Sequence, residues 1–537
     1  MSDEHTLKGL RSLVTQGNLA RAAEASRRAL EAGLRHPFPY GVIAMQLETS
    51  GDIERAIAML DEALRHFPDD PGSLQARGLC LMRREKFVAA RDDFEHVASL
   101  APRFAPAFTA LGQALEALGE LPAAEARYRH ALELDGANIM ADAGLASLLA
   151  RRGEFAQARE RALRVLAAEP NYPAAAMIVG EADVAQGRAA DAESRMRALV
   201  RDPRLSVVER SLALGVLGDA LDREGRPAEA FAAYRESSEL RRMHYAPVFA
   251  TGEGTLDYAR SLRQWFLQHP AKDLLPVIPP EVPDEVSHVF LIGFPRSGTT
   301  LLEQVLAAHP SVVTLEERET LRDAVSAFMR TPADLSRLGL ASDQELESWR
   351  RRYWQRVAEA GVIAGGRLFI DKHPLNGLKL PLIARLFPGA RVLLAIRDPR
   401  DVVLSCFRRR FRMSAPYYEF LDLESAAALY DCVMQLTHDL VAELKLSAHV
   451  VRLERLIGHF ELEVGAICRF LKIGWSDRMR EFAESARTRG VATASGAQIS
   501  RGLNAGGVGE WRRYREQLAP VLPILDPWAA RLGYEVD

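Results

Sequence analysis

The chain has little of what marks several common protein classes. Its four cysteines are scattered and form no CxxC pair, which argues against a zinc site or a disulfide framework and favours a reducing compartment. Since 69 Lys and Arg nearly balance 72 Asp and Glu, the net charge of −3 provides no general attraction to nucleic acid. No apolar run approaches the ~18 residues of a membrane span, and no secretory signal opens the chain. We therefore expect a cytoplasmic protein without nucleic-acid partners.

A 34-residue period fills the first part of the chain. Glycines recur at 17, 51, 119, 153 and 187, and alanine follows each of them by five residues. Glu85 takes the place of the missing glycine, and a seventh unit follows after a slip of four residues. A glycine that ends one helix and small residues that let two helices approach predict a stack of helix–turn–helix pairs.

This period resembles the tetratricopeptide repeat. The resemblance implies about seven units over residues 1–243, with a groove that takes a peptide or protein partner. A helix near Leu256–Leu267 and a proline-rich stretch predict a linker over 244–287. The oligomeric state is left open, a dimer being one option.

Short apolar runs then alternate with helical stretches over residues 288–537. Predicted strands at His288–Gly293, Arg367–Ile370 and Arg391–Ile396 are each followed by a helix. This alternation predicts a parallel α/β sheet, in which ligands bind at the carboxyl ends of the strands. The expected fold class is thus an all-α repeat solenoid followed by an α/β domain with a P-loop-like turn.

The first strand runs into a glycine turn with the sequence G-F-P-R-S-G-T-T-L over residues 293–301. Backbone amides of such a turn, with the following helix N-terminus, cradle anions. A Walker A loop needs lysine after its second glycine, whereas this chain has Thr299 there and carries its cation inside the turn, at Arg296. A P-loop kinase or nucleotidase, with Asp371 or Asp398 as its metal-binding aspartate, is therefore the weaker alternative.

The turn resembles the 5′-phosphosulfate loop of sulfotransferases, specifically of tyrosylprotein sulfotransferases. The resemblance implies 3′-phosphoadenosine-5′-phosphosulfate (PAPS) as donor, no metal, and transfer to a hydroxyl, with tyrosine of a peptide as the expected acceptor. It assigns the catalytic roles to Glu317 as base, with Glu316 as rival, and to Lys372 and Arg296 at the transferring group. A Lys372–Asp371 salt bridge is the structural alternative.

The same resemblance assigns the donor contacts. Arg397, Ser405 and Arg409 are expected to hold the 3′-phosphate, provided a helix from Pro399 places the last two on one face. Alternatively, Arg408–Arg410 form a solvated basic patch. The residues assigned to nucleotide binding are Pro295, Arg296, Ser297, Gly298, Thr299, Thr300, Leu301, Arg397, Ser405, Arg409, Ser495, Arg501 and Arg512.

Two positions depart from the family pattern. Glu510 stands where the family has a lysine, before the tryptophan of the loop that closes over the nucleotide, and Leu453 stands where the family has a tyrosine; both departures concern the adenosine contacts. The alternative from another functional class is a repeat scaffold with an inactive nucleotide domain.

Overall fold

A computed structural model describes residues 3–250, 252–274, 288–489, 502–503 and 506–536. Its first half is helical, as the repeat predicts. The helices are α1 Asp3–Thr15, α2 Leu19–Glu31, α3 Pro37–Thr49, α4 Ile53–His66, α5 Pro71–Arg83, α6 Phe87–Leu100, α7 Ala105–Leu118, α8 Leu121–Leu134, α9 Ile139–Arg151, α10 Phe155–Ala168, α11 Pro173–Ala185, α12 Ala189–Val200, α13 Val207–Arg223, α14 Pro227–Phe249, α15 Thr255–Gln268 and α16 Ala271–Leu274.

The glycines of the period stand where one helix turns into the next. Gly51 and Gly119 have φ of +83° and +82°, a conformation that glycine adopts without steric cost. Glu85 adopts the same left-handed conformation, with φ of +55°, although it has a side chain. The turn geometry is therefore kept even where the period lacks its glycine.

In several units, the small residue of the first helix faces an aromatic ring of the second helix. A Cβ added to Gly112 would lie 2.6 Å from the ring of Tyr128, and one added to Gly218 would lie 2.4 Å from the ring of Tyr234. These rings come four residues after the alanine of their unit, at Ala124 and Ala230. In these units the small residue leaves room between the two helices for a buried aromatic ring, in agreement with the close helix approach that the period predicts.

The chain divides into two compact units. One comprises residues 1–150 and 156–178, and the other comprises residues 151–155 and 179–537. Helices α12 to α14 therefore belong to the same unit as the α/β region. The domain boundaries expected from the sequence stay predictions, and residues 275–287, which include the proline-rich stretch, lie outside the described residues.

A five-stranded parallel sheet organises the α/β region, in the order β2-β3-β1-β4-β5. The strands are β1 His288–Gly293, β2 Val312–Glu316, β3 Leu368–Lys372, β4 Arg391–Ile396 and β5 Ala448–Arg452. The predicted parallel sheet is confirmed, and β2 and β5 are the strands that the sequence reading missed. The central strands β1, β3 and β4 are fully buried, as expected for a sheet covered on both faces.

Helices separate the strands and complete the core. They are α17 Thr299–Ala307, α18 Arg322–Phe328, α19 Leu335–Leu340, α20 Asp343–Glu359, α21 Leu380–Leu386, α22 Pro399–Arg408, α23 Ala415–Glu419, α24 Leu423–Glu443, α25 Leu453–Gly458, α26 Phe460–Leu471, α27 Phe482–Arg489, and the last two at Arg515–Leu518 and Leu522–Arg531. The four cysteines are buried and unbonded to one another. Within the described residues, no helix combines the length and apolarity needed to cross a bilayer.

Candidate active site

The order of the strands brings three sequence motifs to one edge of the sheet. The glycine turn follows β1, Lys372 ends β3 on one side of it, and Arg397 follows β4 on the other side. Neighbouring strands lie about 4.8 Å apart, so the three motifs are close neighbours at the carboxyl edge. This is the location in which parallel sheets bind their ligands.

Both glycines of the turn are required by close contacts. A Cβ on Gly293 would lie 2.5 Å from the carbonyl oxygen of Ala395 in β4. A Cβ on Gly298 would lie 2.7 Å from Cδ1 of Leu453, and the φ of Gly298 is +94°. Leu453, which departs from the family pattern, therefore packs directly on the turn that precedes α17.

We expect Gly298→Ala to destabilise the α/β region by about 1–3 kcal/mol, because it adds backbone strain and a clash with Leu453. Gly361→Ala is the matched control, since Gly361 also has a positive φ but would place its Cβ in open space. Thermal unfolding should show a larger loss for Gly298→Ala, and the added substitution Leu453→Ala should remove the clash. Equal losses at the two glycines would contradict the close contact.

Arg296 sits inside the turn in a conformation that side chains rarely adopt. Its φ is +73°, and its Nε donates a hydrogen bond to Oγ of Ser405 at 3.0 Å. Burial lowers the pKa of Arg296 well below its usual value, and the charges of Arg409 and Arg397 lower it further. Strain and unfavourable charge at one residue indicate a site that is built to receive an anion.

Arg397 lies next to Arg296 and is nearly inaccessible, with 7% of its side chain exposed. Its Nη1 donates to the carbonyl oxygen of Arg296 at 3.3 Å, and its Nη2 donates to the carbonyl oxygen of Gly507. The Nε atoms of Arg397 and Arg409 are buried and find no hydrogen-bond partner among the described residues. Buried donors without acceptors are costly, so a phosphate oxygen would satisfy a need that the protein leaves open.

The predicted helical face for Ser405 and Arg409 is only partly correct. Helix α22 begins at Pro399 as expected, but it ends at Arg408, and Arg409 is extended with φ of −86° and ψ of 142°. Arg409 therefore does not share a helix face with Ser405. Its charge nevertheless acts on Arg296, so the two residues still lie in one cluster.

The alternative of a solvated basic patch is wrong for Arg408 and Arg410. Their side chains are 12% and 16% exposed, and both form ion pairs. Arg408 pairs with Glu510, so the departure at position 510 supplies a partner for an arginine.

A glycine-rich segment, residues 506–511, lies against the arginine cluster formed by Arg296, Arg397 and Arg409. The carboxylate of Asp401 accepts hydrogen bonds from the backbone amides of Gly509 at 2.6 Å and Trp511 at 2.9 Å. Arg512 is half exposed, lies 3.6 Å from Glu535 and packs its guanidinium over the ring of Trp511, and its predicted contact with the nucleotide stays a prediction. The other two predicted contacts of this region, Ser495 and Arg501, lie outside the described residues.

Lys372 is completely buried among three carboxylates. Its Nζ lies 2.7 Å from Glu317 Oε1, 3.3 Å from Glu303 Oε2 and 3.5 Å from Glu316 Oε1. The alternative of a salt bridge with Asp371 is wrong, because Asp371 Oδ2 accepts hydrogen bonds from Thr320 at 2.7 Å and Tyr353 at 2.8 Å. The predicted lysine and its predicted base are therefore in direct contact.

The electrostatics keep Lys372 charged. Burial lowers the pKa of its ammonium group, but the carboxylates of Glu303, Glu317 and Glu316 outweigh burial and raise it. Burial raises the pKa of Glu303 to about 7, although Lys372 opposes that rise. The sequence reading missed Glu303; the available signal was a carboxylate in the otherwise uncharged run L-L-E-Q-V-L within α17.

Glu317 follows β2 with a positive φ of 45°, and its amide donates to the carbonyl oxygen of Lys372 at 2.7 Å. Its carboxylate also interacts with the phenol of Tyr417: burial raises the pKa of Tyr417, and the neighbouring Glu317 carboxylate raises it further. The backbone thus holds Glu317 in one orientation, between a buried ammonium group and a phenolic hydroxyl. Glu316, the rival base, lies farther from Lys372.

The remaining alternative, a kinase-like metal site, receives no support from the two aspartates. Asp398 pairs with Arg400 at 2.8 Å, and Asp371 is engaged by Thr320 and Tyr353. In the described part of the chain, no group of three or more His, Cys, Asp or Glu is arranged to hold a metal ion.

The chain is similar to known sulfotransferases over the region that carries this site. Residues 288–477 match the model of the Sulfotransferase family, and residues 42–103, 105–138 and 180–239 match models of the Tetratricopeptide repeat. The chain carries tetratricopeptide repeats and a sulfotransferase domain. Both resemblances expected from the sequence are confirmed.

Individual relatives are distant. An uncharacterized protein of Aquifex aeolicus is 24% identical over 71% of this chain, which spans about half (49%) of that relative's length. Protein-tyrosine sulfotransferase 2 of Gallus gallus is 28% identical over 47% of this chain and 70% of the relative. Among solved structures, the sulfotransferase domain of the Synechococcus PCC 7002 olefin synthase is 19% identical, covers 48% of this chain and 99% of that chain, and has a TM-score of 0.34.

Proposed function

We propose that the sulfotransferase domain uses PAPS as its donor and transfers the sulfuryl group to a hydroxyl, with tyrosine of a peptide or protein as the favoured acceptor. One observation carries the proposal: a glycine turn with an internal arginine lies between a buried lysine–glutamate pair and an arginine cluster, two of whose buried Nε donors have no partner among the residues that the structure describes. Bound PAPS supplies the sulfuryl group and 3′,5′-ADP as the leaving group.

The residues of the site divide into two sets by what they can do. Arg397 and Arg409, whose Nε atoms have no hydrogen-bond partner in the described part of the chain, fit a phosphate that carries two negative charges. The amides of the turn and Arg296 fit the second anionic group of the donor. These roles, together with those of the other predicted nucleotide-binding residues, are part of the proposal.

Glu317 is the proposed general base. Its carboxylate accepts the proton of the acceptor hydroxyl, and Lys372 and Arg296 offset the negative charge that develops on the leaving side. Tyr417 next to Glu317 supports a phenolic acceptor, since it shows that a phenol fits beside this carboxylate. Lys and Arg supply the positive charge that Mg²⁺ supplies in phosphoryl transfer, so the proposal includes no metal.

The repeats are proposed to hold the acceptor peptide or protein, which the family match of the repeats supports only in general terms. A cytoplasmic location is also part of the proposal. The direct test is incubation with ³⁵S-labelled PAPS and tyrosine-, serine- and sugar-containing acceptors, followed by identification of the labelled product. Labelled tyrosine would support the favoured acceptor, and labelled sugar would refute it.

Binding of 3′,5′-ADP is expected to stabilise the sulfotransferase domain against heat, whereas Mg-ATP is not. The stabilisation follows RT ln(1+[L]/Kd), about 2.7 kcal/mol at a hundredfold excess over Kd. Stabilisation by Mg-ATP alone would favour the kinase or nucleotidase.

Arg397→Ala should weaken this binding about 10- to 100-fold, because it removes charge-assisted hydrogen bonds to a phosphate. Arg391→Ala is the matched control, since Arg391 is also a buried arginine and begins β4, the strand that Arg397 follows. Isothermal titration with 3′,5′-ADP measures both. An equal loss of affinity in the two variants would show that Arg397 acts only through folding.

A further inference from the structure

The last repeat helices contact the segment that carries the donor-site arginines. Arg410 reaches helix α13, where its Nη1 lies 2.9 Å from Asp219 Oδ2, and its Nη2 lies 3.0 Å from Glu181 Oε1 of α11. All of these residues belong to one compact unit of the chain. Arg410 directly follows Arg409, so this ion pair fixes the backbone beside a residue of the proposed phosphate site.

Helix α13 is shaped to receive that arginine. A Cβ on Gly215 would lie 2.7 Å from Cδ of Arg410, so only glycine leaves room for the aliphatic stem. Asp219 follows one turn later on the same helix face. On the next helix, the ring of Phe231 stacks on that of Phe407 with 5.3 Å between centroids. The segment is therefore held by both packing and charge.

A second carboxylate of α13, that of Asp222, binds the residues that directly follow the glycine-rich segment. Asp222 Oδ1 accepts a hydrogen bond from the hydroxyl of Tyr514 at 2.6 Å and lies 2.9 Å from Nη1 of Arg513. Its Oδ2 lies 3.6 Å from Arg408. Asp222 thus joins the end of α22 to the segment whose Gly507 carbonyl group contacts Arg397.

The charges of the repeat also act on the arginine cluster itself. Burial lowers the pKa of Arg409, and the Asp219 carboxylate opposes this effect. Burial would raise the pKa of Asp219, but Arg410 and Arg409 lower it. The last repeat therefore supplies negative charge that lets several buried arginines lie side by side.

We propose that Asp219 and Asp222 are positioning residues for the donor nucleotide, so that the last repeat unit is an integral part of the nucleotide site. They act through Arg409, Arg410 and the segment around Gly507, without touching the ligand. The inference rests on the proposed function. It implies that the sulfotransferase domain cannot be separated from α13 and α14 without losing affinity for its donor.

The test compares Asp219→Asn with Glu229→Gln. Glu229 lies on α14 and pairs only with arginines of the repeats, at positions 226 and 197, among the described residues. We expect Asp219→Asn to raise the Kd of 3′,5′-ADP and the KM for PAPS about tenfold. The kcat at saturating PAPS and the KM for the acceptor should stay within twofold, and Glu229→Gln should match the wild type in all four quantities.

A second variant, Asp222→Asn, tests the same inference independently in case Asp219→Asn fails to fold. Asp222→Asn keeps the size of the side chain and should produce the same pattern, with kcat retained. A fall in kcat without a change in the KM for PAPS would show a merely structural role and overturn the inference. If the wild type itself fails to bind 3′,5′-ADP, the proposed function fails; if it binds and both aspartate variants bind equally well, only the inference fails.

Discussion

Replacing Glu317 by glutamine is expected to lower kcat by about 10²- to 10⁴-fold and to leave the affinity for 3′,5′-ADP nearly unchanged. An amide cannot accept the acceptor's proton, and loss of a general base costs rates of this size. Its carbonyl oxygen can still accept the hydrogen bond from Lys372, which is 2.7 Å long in the structure. Initial rates with labelled PAPS and titration with 3′,5′-ADP measure the two effects.

Glu316→Gln is the control for this prediction, because it changes the neighbouring carboxylate that also faces Lys372. We expect a smaller loss of kcat for this variant. A larger loss would assign the base to Glu316. A collapse of 3′,5′-ADP affinity in Glu317→Gln would instead identify Glu317 as a structural residue.

The repeat architecture could be predicted because the 34-residue pattern of glycine and alanine recurs many times along the chain. Each unit repeats the same turn and the same small residues, so a single exception such as Glu85 does not obscure the period. The buried rings of Tyr128 and Tyr234 were not predicted, since the residue type at this position varies from unit to unit, from serine and alanine to leucine, methionine, phenylalanine and tyrosine. The period therefore predicts which positions carry small residues, but it does not predict which side chain of the paired helix packs against them.

In the site, contiguous motifs were easier to predict than contacts between distant segments. The turn around Arg296 and the strand ends at Lys372 and Arg397 each carry their chemistry in a few neighbouring residues. The pairing of Arg410 with Asp219 joins positions 191 residues apart, and nothing local to either residue indicates it. The shared helix face expected for Ser405 and Arg409 fails at a similar long-range feature, since α22 ends at Arg408 and tertiary ion pairs engage the residues on both sides of Arg409.

Removing the buried ammonium group in Lys372→Met should suppress transfer at least ~100-fold, the scale expected when one charge that stabilises the transition state is lost. The variant should also be less stable, because three carboxylates lose their shared counter-ion. Rates must therefore be expressed per site that binds 3′,5′-ADP. A rate within tenfold of the wild type on this basis would contradict the catalytic role of Lys372.

The loss of stability in Lys372→Met should grow as the pH rises. In the wild type, burial raises the pKa of Glu303 to about 7, above its unfolded value, so the folded state loses stability between the unfolded pKa and about 7 and no more above it. Lys372 lowers this pKa, so removing Lys372 moves the pKa higher and extends the loss of stability to higher pH. Without Lys372 to compensate, the gap in unfolding temperature from the wild type should be larger at pH 8 than at pH 6. Adding Glu303→Gln to Lys372→Met should reduce the difference in unfolding temperature from the wild type at pH 8, because the amide carries no charge to be buried. If this difference changes neither with pH nor with the added substitution, Glu303 is not the group that Lys372 neutralises.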